Sequence, residues 1–130
     1  MPRAVALALL LGFGCDDRSA PPPAPSSSAA SVAVASPADD ARQMVQNRCS
    51  TCHGSSGKGD GPTAATLNPR PRDFTSKEWQ KSVSDAQLRT VIVKGGAGVG
   101  KSVLMPANPD LEQRPEVVAS LVQIVRAYGK

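Results

Sequence analysis

Histidine is almost missing from this chain: its 130 residues include one, His53. Any metal site that needs two imidazoles from the same chain is thereby excluded. Cysteine is nearly as scarce, with three in all, and aromatic residues make up only 3% of the sequence. The cysteines are Cys15, Cys49 and Cys52, too few for a disulfide framework. The most apolar stretch, Ala4 to Phe13, is too short to span a bilayer as a helix. Neither a basic run nor interleaved aromatic residues support nucleic-acid binding.

Within this sparse inventory, two of the cysteines and the histidine fall together as Cys49-Ser50-Thr51-Cys52-His53. This spacing lets two thiols bond covalently to the vinyl groups of one haem while the adjoining imidazole reaches the iron. A zinc site would need a fourth ligand, and the remaining cysteine, Cys15, lies in what reads as a secretion signal. A thioredoxin-type redox pair would need a βαβ setting, which the sequence does not offer. The haem also answers a shortage. From Asp39 onward roughly 90 residues remain for one small domain, marginal on its own side chains. Its aromatic residues are Phe74, Trp79 and Tyr128, so a large flat apolar group would supply core that the sequence lacks.

Three segments follow from composition. Residues 1–14 read as a signal peptide: a charge at Arg3, the apolar run, then small residues before Cys15. The pattern is similar to a bacterial lipobox, with Cys15 as the acylated residue, although Gly12 and the bulky Phe13 depart from it. An ordinary cleaved signal is the alternative. Residues 15–38 are rich in Pro, Ala and Ser and read as a flexible linker. For about 20 flexible residues the typical reach is roughly 25 Å. Residues 39–130 form the folded domain. Lipid at Cys15 and haem at Cys49 and Cys52 would account for every thiol, and export agrees with haem attachment outside the cytoplasm in bacteria.

Periodicity inside the domain is helical. Ala41, Met44, Val45 and Arg48 lead into Cys49 at helical spacing, after the acidic start Asp39-Asp40. Gly54 to Pro62 is a glycine-rich loop, expected to pass close to a haem edge. Thr75-Ser76-Lys77-Glu78 and Ser84-Asp85-Ala86-Gln87 each have the form of a capping box, the second opening a helix that stops at Gly95. Pro115 to Tyr128 forms a last helix with a broad apolar face, expected to pack on Met44 and Val45.

The second axial ligand is narrowed by elimination. Met1 leaves with the signal, and Met44 lies nine residues before His53, where core packing is expected. Met105 remains, in Leu104-Met105-Pro106-Ala107-Asn108-Pro109, whose prolines favour an extended loop. The alternative is that Met105 merely packs, leaving Lys94, Lys101 or an open position at the iron. His/Met ligation is a recurrent pattern for haem c.

With CSTCH at residues 49–53, GDGP in the following loop and Met-Pro before the last helix, the sequence resembles the class I cytochrome c family from Asp39 to the C-terminus. The resemblance implies an all-α cytochrome c fold with crossing terminal helices and one covalent haem c in a crevice. It implies one-electron transfer without covalent change in a substrate, and so a carrier rather than an enzyme, or the haem c subunit of a larger oxidoreductase. It also implies a proline carbonyl accepting the His53 Nδ1 proton, for which Pro62 is the match. By position, Trp79, Arg72 and Arg70 are the candidates for haem propionate contacts.

Gly95 to Ser102 fits the phosphate-cradling G-x-x-x-x-G-K-S pattern letter for letter. Its context argues against nucleotide binding, because a helix rather than a strand is expected before it and Pro106 follows closely. The expectation is an exported electron carrier, lipid-anchored on the periplasmic side of a bacterial membrane and serving redox protein partners in membrane complexes. The domain carries 13 Lys and Arg against 9 Asp and Glu, which allows a basic docking face for an acidic partner. A haem enzyme or gas sensor with an open distal position is the alternative.

Overall fold

In the computed structural model, which describes residues 35–130, the first helix starts at a cap that the sequence reading assigns to the linker. Ser36 has extended backbone and its Oγ accepts from Asp39 N at 3.2 Å. Pro37 then stands at the first helical position, where a missing N–H costs nothing. The first helix thus begins at Pro37, ahead of the acidic pair Asp39-Asp40. The expected signal peptide, Cys15 and most of the expected linker, in residues 1–34, lie outside the described residues.

Helix α1 spans Pro37–Met44 and runs into a wider π turn, Val45–Cys49, and then a short helix, α2, Ser50–His53. The π turn was not foreseen, since hydrophobic spacing over five residues does not separate it from an α-helix. Such turns recur at functional sites, and this one delivers Cys49. Helix α3 is Lys77–Ser82 and α4 is Asp85–Lys94. Helix α5, Pro115–Ala127, closes the domain. Short 3₁₀ turns lie at Ala64–Thr66, Ala97–Val99 and Pro109–Leu111. The fold is all-α, with no strand among the described residues.

One expected cap moves by a residue. Thr75 gives both its hydroxyl and its N–H to Asp73 Oδ1, at 2.7 and 2.8 Å. Capping of α3 then falls to Ser76, whose Oγ accepts from Trp79 N at 3.3 Å. The box at α4 forms as expected: Gln87 N donates to Ser84 Oγ, and Ser84 N donates to Gln87 Oε1 at 2.8 Å.

The core lies where α1 meets α5. Ala41, Leu111, Val117, Val118 and Leu121 are buried together, and Met44 and Val45 pack against them. Ala41 is fully buried, and its small side chain admits the larger residues of α5. A second cluster, Leu88, Val122 and Val125, joins α5 to α4 and supports Phe74 and Trp79. Burying side chains of this size is worth about 1.5–3 kcal/mol each. Two arginines of the C-terminal region fix the frame. Arg114 pairs with Asp40 of α1, and Arg126 donates to Gln80 O, Val83 O and Asp85 Oδ1 at 2.7, 2.6 and 2.8 Å.

Candidate functional site

The end of the first helical run, the Met105 loop and the inner face of α5 together border one apolar cavity. Its lining includes Cys49 and His53 from the first run, Met105 and Asn108 from the loop, and Phe74 and Tyr128. The empty space amounts to about 560 Å³, part of it open to solvent. A second groove, between α1 and α5 and lined by Arg42, Ser120 and Gln123, holds none of these donors.

His53 is half-buried, and its Nδ1 lies 3.2 Å from the backbone carbonyl of Arg72. A carbonyl only accepts, so Nδ1 carries the proton and Nε2 is left with a free lone pair. Burial holds the imidazole below its ordinary pKa, with the Arg72 carbonyl acting in the opposite direction. The ring stacks on Phe74 with centroids 4.4 Å apart.

The carbonyl at Nδ1 is thus that of Arg72, where Pro62 was expected. The reason is local. Gly59, at φ +72°, backs onto Pro71 and Arg72 so closely that a Cβ there would collide with the Pro71 carbonyl. Gly61, beside Pro62, is instead tied to Cys52 O at 3.1 Å. Of the glycines expected to skirt a haem edge, Gly54 lines the cavity, whereas Gly59 and Gly61 serve contacts within the chain itself.

Cys49 lines the cavity, and burial pushes its thiol pKa up, against the opposing pull of Arg48. Cys52 is not among the lining residues; its Sγ lies 3.3 Å from Thr63 Oγ1. Spaced by three residues, the two cysteines occupy adjacent positions of a helical turn. Met105 lines the cavity, and so does Met44, which also packs on the core as expected. Trp79 stacks on Phe74 at 5.3 Å and borders the second core cluster rather than the cavity. The Arg72 and Arg70 side chains are exposed, and Arg72 reaches the site through its backbone. Phe74, Tyr128 and Asn108 were not singled out as site residues from sequence. Asp-Phe-Thr and Ala-Asn-Pro are too short to stand out.

The sequence model of the Cytochrome c family matches residues 38–120. That span covers more than half of the chain and the whole of the region from α1 to the first half of α5. The chain belongs to the Cytochrome c family. Proteins of this family bind covalent haem c with iron and transfer electrons through it. The residues present here fit such a group: two thiols, an imidazole and a thioether meet in or beside one apolar cavity. Among curated proteins none matches the chain.

The glycines of the Gly95–Ser102 stretch also find their use in this cytochrome. Gly95 ends α4 at φ +70°, and a Cβ there would lie 2.6 Å from Ala107 N and 2.8 Å from Met105 O. A helix precedes the stretch, whereas a phosphate-binding loop follows a strand. Gly95 admits the Met105 loop, and Gly96 admits the backbone of Ser102.

Proposed function

We propose that this cytochrome c is a one-electron carrier whose haem is attached at Cys49 and Cys52 and held between His53 and Met105. One observation carries the reading: His53 and Met105, 52 residues apart in sequence, border the same apolar cavity. Haem iron supplies a one-electron couple, and the chain's residues set its conditions. The Arg72 carbonyl fixes the imidazole plane and strengthens its donation. Met105, as a soft thioether, favours the reduced metal and raises the potential relative to a second nitrogen ligand. Apolar walls from Val45, Ile92, Leu121 and Ile124 limit water at the site.

Met44 is the competing sulfur, but it sits nine residues before His53 on the same helical run, about 13 Å along the axis. The test uses matured protein. Its oxidised form should show the weak far-red sulfur-to-iron band, and its reduced form should bind carbon monoxide slowly. Met105→Ala should abolish the band and lower the potential, whereas Met44→Leu should keep both. A band lost in Met44→Leu and kept in Met105→Ala would reverse the assignment. Prompt carbon monoxide binding by the unaltered protein would favour a gas-binding role. Covalent attachment is tested by acidified acetone, which should extract haem only from Cys49→Ala/Cys52→Ala.

The proposal extends to location. The lipobox-like stretch before Cys15 and the Pro-rich segment after it support a domain tethered to the outer side of a bacterial membrane, exchanging electrons with membrane redox complexes. Cys15→Ser should release the protein to the soluble fraction. Unchanged membrane retention would refute lipidation at that residue.

A further inference from the structure

The end of α4 is capped by a residue distant in sequence. A helix leaves its last four carbonyls without intrahelical partners. In α4, Gly95 N takes Val91 O at 3.0 Å, and the next two carbonyls are both taken by Asn108. Its side-chain Nδ2 donates to Ile92 O at 2.7 Å and its backbone N donates to Val93 O at 2.9 Å. On the other side of the same loop, Gly96 N donates to Met105 O at 2.9 Å. The segment Met105–Asn108 is therefore fastened to the end of α4 at both of its ends.

Between these anchors stand Pro106 and Ala107; Pro106 has no N–H, and Ala107 has no polar side chain. Asn108 is the one side chain in the segment that can donate, and it borders the cavity together with Met105. Its amide suits the negative end of a helix, where a carboxylate would be repelled and could not donate. Its Oδ1 also faces Arg48 Nη1 at 3.5 Å, from the residue before Cys49, a contact too long and exposed to count for much.

We propose that Asn108 is a positioning residue for Met105: by capping α4 with its side-chain amide, it holds the methionine loop against the cavity. The inference rests on Met105 being the axial ligand, and the experiment separates the two. Matured wild-type protein, Met105→Ala, Asn108→Ala and the isosteric Asn108→Asp are compared. The readouts are the far-red sulfur band, the rate of carbon monoxide binding to the reduced form, hydrogen exchange at the Gly96 amide, and helix unfolding by circular dichroism.

Loss of one part-buried, net-favourable hydrogen bond with its acceptor left unpaired corresponds to about a tenfold change. Both Asn108 variants should therefore retain the band, bind carbon monoxide about tenfold faster, and exchange the Gly96 amide faster. In each, the band should be lost at lower denaturant than the helices. Wild-type rates in Asn108→Asp would overturn the proposal, because that variant keeps the side-chain shape while replacing the donor with a carboxylate that the helix end repels. Loss of band and helix at one shared, shifted midpoint would also overturn it, since Asn108 would then serve general stability. A band that survives in Met105→Ala would instead strike down the ligand assignment itself.

Discussion

His53 Nδ1 and the Arg72 carbonyl, 3.2 Å apart, join the cysteine-bearing helical run to a loop nineteen residues downstream. The contact depends on Gly59, whose left-handed backbone lets residues 71 and 72 approach. Gly59→Ala would add both backbone strain and a clash with the Pro71 carbonyl. The expected cost is about 2–3 kcal/mol, read as a fall in the denaturation midpoint of matured protein. An unchanged midpoint would mean that the loop relaxes freely and does not set the imidazole.

Leu111 is 1% exposed and packs in the core with residues of α1 and α5, at the end of the 3₁₀ turn that follows Asn108. Leu111→Ala should destabilise the domain by about 2–5 kcal/mol, since both transfer and cavity terms apply. Equilibrium unfolding in guanidinium measures it, and a cost under about 1 kcal/mol would show that the site collapses around the gap.

Arg126 is held by Gln80 O, Gln80 Oε1, Val83 O and Asp85 Oδ1, three of these partners being uncharged. Its loss leaves carbonyls of the α3–α4 connection unpaired. Arg126→Ala should cost about 2–4 kcal/mol, and Arg126→Lys should recover only part of this, because an ammonium cannot match the planar fork. The comparison of unfolding midpoints decides it. Full rescue by lysine would reduce the role to charge alone.

Asp73 accepts from the hydroxyl and N–H of Thr75, and these bonds hold its carboxyl below the ordinary 3.8, with a smaller contribution from the Lys58 charge. A carboxyl with a lowered folded pKa stabilises the fold fully above its unfolded value, and the contribution fades as pH falls through the folded one. Hydrogen exchange at the Thr75 amide should therefore lose protection only below about pH 4, once the intrinsic pH dependence of exchange is removed. Asp73→Asn should flatten that profile. Loss of protection already near neutrality would exclude the carboxylate as its source.

Much of this protein could be read before any tertiary contact was known. Cys49, Cys52 and His53, the proposed haem-binding residues, stand out because covalent haem attachment needs a fixed local spacing, and local spacing survives in sequence. The capping box at Ser84, the stop at Gly95 and the apolar face of α5 are local for the same reason. Elimination singles out Met105 as the proposed second ligand only because the chain has so few methionines and a single histidine.

What required the fold is each contact made across the chain. Backbone carbonyls carry no sequence label, so the Arg72 carbonyl could stand in the place expected of Pro62, decided by how closely Gly59 lets the loop approach. The same applies to Asn108, whose amide acquires its use only when α4 ends beside it, and to Phe74 and Tyr128, which reach the cavity through packing. Residue type and spacing determined which chemical groups this cytochrome has available; the close approach of distant backbone segments decided which of them face one another.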